Sequence, residues 1–531
     1  MRAKACAGLL LAATLLSGSP APAEAAPATW HARISSAVAY AETRSGQISF
    51  AVVDESGRLR GYRTRAVAPS ASLLKAMLLV AYLRKPDVRD RSLAQWERDL
   101  LAPMIRRSDN PAAFRLIGLV GETGLVRLAR AAGMEHFKLH WPNWGQSEST
   151  PRGQARFLYR IDSLLPFRHR AYALDLLAGV VPSQRWGVGR VPHPGWRLYF
   201  KGGWSTGTGL VDHQVALYTA SAERFSVALF TRFNPNHDYG KETLKGLAAR
   251  LSAGVPRPVA RAPRAARFAA DGGYAALAPS GCATISLRAF GGGIRPIATG
   301  ASSCEGFKLT LAGGRVLWSR EESGNVRLAT ASFAEPVREE LGAFGPADPF
   351  GALAGGSGTL AYSHGDTVTV VGGTDCAVPE GSVLAAGFGR IATAAAGIVE
   401  VRDGSTCALV RSLAPGGSVD AVALADDLLA VLSRGAEGAK RLDRYRLSSG
   451  ARLGRTPVAS ATLPVLAVRS YWIAYRSPHA LRVLDPVSGR VWTVWRPRRA
   501  PVGLGLAGRR LAWSENAAGS GRLWLLPLSG G

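Results

Sequence analysis

A short apolar motif recurs through the second half of the chain and limits its possible folds more than any other feature. Its six copies lie about 39 residues apart on average, a period typical of propeller blades with several strands each. The copies are 315–318, 359–362, 390–393, 428–431, 472–475 and 510–513. Residues 274–277 form a candidate earlier copy. The sequence therefore predicts an all-β region, a six- or seven-bladed β-propeller, with an irregular β-sandwich as the alternative.

The first half has a different pattern, in which helical segments and strands alternate in blocks. A helix, a strand hairpin, a mostly helical stretch, three strands and a closing helix are predicted at 30–43, 47–63, 90–180, 196–231 and 241–251. Strands at both ends of the segment with helices between them favour one antiparallel sheet with an inserted helical region. The first half is thus predicted to be an α+β domain.

The N-terminus is typical of a secretory signal. Residues 1–4 form a short basic region, residues 5–16 are apolar but too short to span a bilayer, and the small residues Ala23 and Ala25 offer a cleavage site. No other stretch is apolar enough for a membrane span. We therefore expect residues 1–25 to be removed and the protein to be secreted, either extracellular or periplasmic.

Composition then divides the mature chain into two predicted domains. Residues 254–266 are rich in Pro and Arg, which is typical of a linker. The α+β domain is therefore expected at 26–253 and the all-β domain at 267–531.

Four cysteines remain once the signal, with Cys6, is removed. An even number in an exported protein indicates two disulfides. Neighbour pairing, Cys282 with Cys304 and Cys376 with Cys407, is favoured among the three connectivities that four cysteines allow. Metal binding is disfavoured because no Cys-x-x-Cys pair occurs.

The net charge of +27 suits anionic surroundings, such as an anionic cell-wall polymer, a membrane surface or nucleic acid. A soluble, well-charged surface gives the same composition and is the favoured interpretation. The arginines are spread along the chain without a dense basic block, and neither helix-turn-helix nor zinc-finger spacing is present. Nucleic acid is therefore not an expected partner. No cofactor is expected either, because the chain has no Gly-rich phosphate loop and no metal-like histidine spacing.

Ser72 and Lys75 are the first candidate catalytic residues. Ser72 falls at the start of a predicted buried helix, and Lys75, three residues on, shares its face. Only nine lysines occur in the 531 residues, and no other Ser-x-x-Lys exists. A lysine among Leu, Ala, Met and Val costs free energy unless it is used. The pair is a candidate nucleophile and base, although a capping serine before an ordinary lysine gives the same pattern.

Two further motifs follow in order: Ser108-Asp109-Asn110 before a predicted helix, and Lys201-Gly202-Gly203 at the end of a predicted strand. Together the three motifs resemble the signature of the penicillin-recognising serine enzymes, the class A β-lactamases and D-alanyl-D-alanine peptidases. The resemblance covers about residues 30–253 and leaves the second half unexplained. It implies a β-lactamase/transpeptidase-like fold for the first domain.

The resemblance implies a catalytic role for three side chains. Ser72 would attack an acyl carbon, Lys75 would accept its proton, and Ser108 would relay a proton to the leaving nitrogen. Asp109 would cap its helix rather than act chemically.

Substrate binding is implied for four further positions. Asn110 would bind the acyl side chain, Lys201 would attract a substrate carboxylate, and Gly203 would allow a close approach. The backbone N–H groups of Ser72 and Trp204 would form an oxyanion hole.

This sequence departs from the family pattern in three places. Gly202 stands where a Thr or Ser hydroxyl is usual, and Ser205 or Thr206 is a candidate substitute. The interval from Ser72 to Ser108 is 36 residues, which indicates a smaller helical region. Class A enzymes carry a loop glutamate that activates the deacylating water. Here Glu148 is the candidate, but it lies late in the loop from 139 to 151, and the alternative, Glu135, lies early. Acylation is therefore better supported than deacylation.

A competing motif, Gly203-x-Ser205-x-Gly207 with Asp212 and His213 nearby, matches the nucleophile elbow of another hydrolase class. An elbow needs a helix after its serine, whereas the sequence here indicates a turn and a strand.

Two functions remain open from the sequence. The first is an exported serine hydrolase that acts on β-lactams or D-Ala-ended wall peptides. The second is a non-catalytic cell-wall-associated binding protein with a degenerate β-lactamase-like domain and a propeller that binds an unidentified ligand.

Overall fold

The computed structural model describes residues 28–528 apart from 208, 263, 380, 436, 459–465, 470–471 and 518. The predicted signal at 1–25 and Cys6 lie outside these residues. The described chain has an α+β first half and an all-β second half, as the sequence predicted.

The α-helices described in the first half are α1 (Trp30–Glu42), α2 (Leu74–Leu83), α3 (Gln95–Arg106), α4 (Asn110–Ala132), α5 (Pro151–Tyr159), α6 (Ile161–Leu164), α7 (Phe167–Ala178) and α8 (His237–Ser252). Short 3-10 helices lie at Ala71–Leu73, Trp144–Gln146, Pro182–Gln184 and Gly187–Arg190. The strands are β1 (Gln47–Val53), β2 (Leu59–Tyr62), β3 (Ala68–Pro69), β4 (Glu148–Ser149), β5 (Arg197–Ser205), β6 (Val211–Ala220) and β7 (Glu223–Arg232).

Five of these strands form one antiparallel sheet in the order β2-β1-β7-β6-β5. Strand residues alternate between two apolar clusters, as the period of two along a strand requires. In β1, Phe50 and Val52 pack towards α1 and α8, whereas Ala51 and Val53 pack towards the inserted helices. Because β1 comes from the start of the domain and β5 to β7 from its end, the sheet joins both ends around the helical insertion.

The second half is built from short strands. They are β8 (Arg257–Ala262), β9 (Ala265–Asp271), β10 (Tyr274–Pro279), β11 (Thr284–Ala289), β12 (Ile294–Ala298), β13 (Lys308–Ala312), β14 (Arg315–Glu322), β15 (Asn325–Ser332), β16 (Glu339–Phe344), β17 (Phe350–Gly356), β18 (Thr359–His364), β19 (Thr367–Val370), β20 (Asp375–Ala377), β21 (Val383–Gly387), β22 (Arg390–Ala395), β23 (Ile398–Asp403), β24 (Leu409–Leu413), β25 (Ser418–Ala425), β26 (Leu428–Arg434), β27 (Lys440–Arg446), β28 (Arg452–Pro457), β29 (Leu466–Arg469), β30 (Trp472–Ser477), β31 (Ala480–Leu484), β32 (Val491–Trp495), β33 (Pro501–Ala507), β34 (Arg510–Ala517) and β35 (Ser520–Pro527).

These strands form seven four-stranded antiparallel sheets. The repeated sequence motif lies in the second strand of each sheet: β10, β14, β18, β22, β26, β30 and β34. The repeat therefore marked one equivalent strand per sheet, and 274–277 is a true copy. Neighbouring sheets contact each other through their first strands.

The segment predicted as a linker contains a strand instead. β8 pairs with β35 and completes the last sheet. The C-terminal end of the chain supplies the other three strands of that sheet, β33, β34 and β35. Its Pro and Arg content suggested a linker, but an edge strand also tolerates Pro.

Two disulfides join neighbouring cysteines in the second half, Cys282 to Cys304 and Cys376 to Cys407. This is the favoured pairing, and disulfides fit an oxidising compartment. Among the residues described, no helix is both long and apolar enough to cross a membrane.

Candidate active site

Ser72 lies between the sheet and the inserted helices. It sits in the 3-10 helix Ala71–Leu73, directly after β3 and before α2, whose residues are all buried. The Ser70 N–H donates to the Ser147 carbonyl at 2.6 Å, and β3 pairs with β4. The φ of Ala71 is +45°, a region that residues other than glycine rarely adopt. The turn that carries Ser72 is therefore held from both sides in an uncommon conformation.

Lys75 is fully buried below Ser72. Its Nζ donates to the Ser108 carbonyl, to Ser108 Oγ at 3.1 Å and to Asn110 Oδ1 at 2.7 Å. Nζ also lies 5.2 Å from the centre of the Trp144 ring. Burial lowers the pKa of Lys75 to about 8, and the negative charge of Asp109 offsets part of this effect.

Lys201 reaches the same point from β5. Its Nζ donates to Ser108 Oγ at 3.0 Å and to the Gly202 carbonyl at 2.7 Å. Burial lowers the pKa of Lys201 well below its usual value, and the positive charge of Lys75 acts in the same direction. The Ser108 hydroxyl thus lies between two buried amines, and its residue has a φ of +58°.

Asp109 and Asn110 open α4. Asp109 accepts a hydrogen bond from the Ala112 N–H at 2.8 Å and is the N-cap. This is the capping role expected for Asp109. Because the cap fixes the first turn of α4, it also fixes the position at which the Asn110 amide meets Lys75.

Gly203 packs directly against the backbone of the nucleophile turn. A Cβ on Gly203 would lie 3.0 Å from the backbone nitrogens of both Ser72 and Leu73, closer than nearly all real Cβ contacts. The strand that carries Trp204 therefore runs beside the Ser72 N–H. Trp204 is 39% exposed at this edge.

Glu148 is placed differently from its predicted role. Its carboxylate lies 3.1 Å from His136 Nε2 and 3.4 Å from His140 Nε2. The hydrogen bond from His136 is the main cause that lowers the pKa of Glu148. The carboxylate is thus occupied by two histidines rather than by Ser72 or Lys75, and its role as a water-activating base stays a prediction.

The competing elbow motif lacks the structure that it needs. Ser205 is the last residue of β5, and a turn followed by β6 comes next. Asp212 contacts His237 Nδ1 at 3.0 Å, and burial raises its pKa to about 6. Burial lowers the pKa of His213 to about 4, and its ring stacks on Phe230. Asp212 and His213 therefore have partners other than Ser205.

Trp186 belongs to the site but was not found from the sequence. A Cβ on Gly202 would lie 2.9 Å from Cζ2 of the Trp186 ring. The same ring meets Trp204 edge-on, with centroids 6.1 Å apart. No local pattern marks Trp186, because its turn contacts β5 only in the folded chain.

The assembled groups can support acyl transfer. At pH 7 a pKa of about 8 leaves about a tenth of Lys75 neutral and able to accept a proton. Ser108 can pass a proton between Lys75 and a leaving group. None of these steps requires a metal, and the described residues contain no group of three or more metal-ligating side chains.

The sequence resembles known proteins in this half of the chain. Residues 97–254 match the model of the beta-lactamase enzyme family. This segment contains Ser108 and Lys201, while Ser72 and Lys75 precede it. The match supports a domain of the penicillin-recognising serine enzyme family, as the three motifs indicated.

Similar solved structures include β-lactamases from two organisms. The one from Sphaerobacter thermophilus has 21% identity and a TM-score of 0.37, covering 42% of this chain and 96% of its own. The one from Desulfarculus baarsii has 23% identity and a TM-score of 0.36, covering 42% and 98%. An ancestral class A β-lactamase has 19% identity and a TM-score of 0.36, covering 41% and 98%. A comparison with curated proteins finds no match.

Proposed function

We propose that the first half of the chain is a serine hydrolase of the β-lactamase or penicillin-binding type that forms an acyl-enzyme at Ser72. The observation that carries this proposal is the meeting of two buried lysine amines on one hydroxyl, Ser108 Oγ, at 3.1 and 3.0 Å. Burying two cations side by side opposes folding. Such an arrangement is typical of sites where a shifted pKa is used in catalysis.

Acylation then follows from the positions of these groups. Ser72 Oγ forms a bond to the acyl carbon while neutral Lys75 takes the hydroxyl proton. The backbone N–H groups of Ser72 and Trp204 stabilise the oxyanion, a contribution of about 3 kcal/mol or more per donor in comparable sites. The bond to the leaving group breaks, and Ser108 supplies its proton from the Lys75 side.

Substrate contacts are assigned to the rim of this site. Asn110 presents its amide to the acyl side chain, and Gly203 leaves room for the substrate against β5. Lys201 is assigned to a substrate carboxylate, for example that of a β-lactam or a D-Ala-ended wall peptide, but its burial and its hydrogen bonds to Ser108 Oγ and the Gly202 carbonyl weaken that attraction.

Deacylation is proposed to be slow. Glu148 accepts a hydrogen bond from His136 and is close to His140, so its carboxylate is already engaged by these side chains. A long-lived acyl-enzyme is the expected product.

We also propose that residues 257–528 form a seven-bladed β-propeller. Each of the seven sheets supplies its first strand to one cavity of about 260 Å³, and β33 contacts β9 as well as β29. β8, from the start of the region, pairs with the last strand, β35. This pairing supports a domain boundary before 257 rather than after 266. The propeller would bind a ligand that the structure does not identify, and the basic chain would favour an anionic wall polymer.

An intact-mass time course with benzylpenicillin tests the enzyme proposal. The mature wild type should gain the mass of one penicillin and hold it, and Ser72→Ala should gain none while keeping its thermal unfolding midpoint. A transient adduct with drug consumption would show fast deacylation and direct attention to Glu148→Gln. No adduct on the wild type would favour the non-catalytic binding protein.

A further inference from the structure

Two indole rings form one wall of the candidate site. Trp204 follows Gly203, whose backbone lies against the nitrogens of Ser72 and Leu73. The position of Trp204 relative to the nucleophile is therefore fixed by backbone contact. Trp204 is 39% exposed, so part of this residue is open to a bound molecule.

Trp186 supports this ring from behind. Its carbonyl accepts a hydrogen bond from Gln214 Nε2 at 2.8 Å, and Gln214 Oε1 accepts from the Val188 N–H at 2.8 Å. Gln214 is fully buried in β6. The turn that carries Trp186 is thus tied to the central sheet, and Trp186 meets Trp204 edge-on at an interplanar angle of 80°.

The ring of Trp186 also fills the space beside Gly202. A side chain at 202 would place its Cβ 2.9 Å and 3.1 Å from two atoms of the indole. A hydroxyl residue therefore cannot stand at 202 unless Trp186 moves. The sequence lacks the hydroxyl residue that the family signature has at this position. In the structure, the Trp186 ring occupies the space that a side chain at 202 would need.

The Lys201 amine beside these rings points into the protein interior. Lys201 is fully buried, and its Nζ is engaged by Ser108 Oγ and the Gly202 carbonyl. Its pKa is lowered well below the usual value, because burial disfavours the charged amine. The wall beside Ser72 is thus formed by two indole rings, and the amine behind it attracts a carboxylate weakly.

We propose that Trp204, backed by Trp186, binds the leaving group of the acyl donor by stacking, and that the site selects donors with a neutral, planar leaving group over donors with a carboxylate there. This inference rests on the proposed acylation of Ser72. With an aryl ester as the acyl donor, acylation needs no further reactant. Ser72 Oγ forms a bond to the acyl carbon, the bond between that carbon and the aryl oxygen breaks, and the phenol leaves with the serine proton.

Two matched aryl esters test this selectivity. 4-Nitrophenyl acetate and its 3-carboxylated analogue carry the same acyl group on similar leaving groups, and release of the phenol is followed by absorbance. The wild type should show a kcat/KM about tenfold higher for the neutral ester. Equal values, or a preference for the carboxylated ester, would overturn the inference.

Substitutions then assign the preference to the ring. Trp204→Ala keeps the backbone N–H and should raise KM for the neutral ester about five- to tenfold with kcat nearly unchanged, since one stacking contact is lost. Trp204→Phe should restore most of the affinity. Trp96→Ala, which removes an indole 51% exposed on α3, should change neither constant. An equal loss in Trp204→Ala for both esters would contradict a stacking role.

Failure of the underlying function is recognised separately. If ester hydrolysis persists in Ser72→Ala, the proposed acylation at Ser72 is wrong. If hydrolysis is lost in Ser72→Ala but the wild type does not prefer the neutral ester, only the proposal about Trp204 is wrong.

Discussion

Two buried clusters, one in each half of the chain, surround their charges in opposite ways. In the first half, Lys75 and Lys201 are buried with neutral oxygens of Ser108, Asn110 and Gly202 as partners. In the second half, Arg320 binds Glu340 at 2.8 Å, and fully buried Asp443 binds Arg455 at 2.7 Å. A paired buried charge is compatible with a structural role, whereas amines held without a carboxylate partner have shifted pKa values. The difference agrees with the proposed chemistry at the cluster of Lys75 and Lys201.

The junction between the halves contains packed aromatic rings and buried carboxyl groups. Trp196 packs edge-on to Trp495 and Trp524, with centroids 6.5 and 6.0 Å apart. Beside it, Glu223 accepts the Arg498 N–H at 2.7 Å. Burial raises the pKa of Glu223 to about 8 and that of Glu515 to about 7. The halves are therefore joined by an aromatic contact that also buries two carboxyl groups.

The largest expected effect is the loss of the base. Lys75→Met should lower the rate of Ser72 acylation by about 10²- to 10⁴-fold. It should leave the thermal midpoint unchanged or raised, because a desolvated amine is replaced by an apolar chain of similar length. Mass-spectrometric acylation rates and thermal unfolding measure the two effects. Lys245→Met, at an exposed position of α8, is the control. A Lys75→Met protein that acylates normally would remove the contrast between the two clusters.

The pH dependence of the acylation rate should show whether Lys75 is the base. Because only the neutral amine accepts a proton, the acylation rate should rise with pH and level off above about 8. The folded state also binds fewer protons than the unfolded state between about pH 8 and 10.5, so this group contributes stability that grows as pH rises through that window. A rate profile that is flat from pH 6 to 9 would exclude Lys75 as the titrating base.

Breaking a pair in the second half should affect folding and not chemistry. Among the described residues, Arg455→Met leaves the buried Asp443 carboxylate with Arg441, at 3.7 Å, as its ion-pair partner. The expected cost is about 3 kcal/mol of unfolding free energy, measured by denaturant unfolding, with acylation of Ser72 unchanged. Arg446→Met removes a weak surface pair with Asp427 and should cost less than about 1 kcal/mol. Similar small effects of both variants would show that the buried pair contributes little.

The smallest expected effect concerns the junction. The raised pKa of Glu223 means that the folded state holds a proton that the unfolded state releases between about pH 4.5 and 8. Stability from this group is therefore present below that window and lost as pH rises through about 8. Glu223→Gln should raise the thermal midpoint at about pH 9 and leave it unchanged near pH 4.5. Glu242→Gln, exposed on α8, should change neither value.

Local patterns account for what could be predicted from the sequence. Ser72, Ser108 and Lys201 stand at the ends of elements with clear helix or strand periodicity, so their motifs could be assigned to a site. The apolar repeat marked the second strand of every sheet in the second half. Both signals are carried by residues close together in the chain.

Long-range contacts account for what was missed. β8 was predicted as linker because its partner, β35, lies about 260 residues away. The histidine partners of Glu148 depend on a β-bridge between Lys138 and Glu148. The fit of Trp186 against Gly202 depends on how a turn packs on β5. Such contacts leave no pattern in neighbouring residues.

The central claim is that Ser72 is the acylated residue. Peptide mapping of the protein after incubation with benzylpenicillin or 4-nitrophenyl acetate tests it most directly. If Ser72 is the acylated residue, the acyl mass will be found on the peptide that contains Ser72, and the Ser72→Ala protein will carry no acyl group. An acyl group on Ser205, or labelling that survives in Ser72→Ala, would contradict the account.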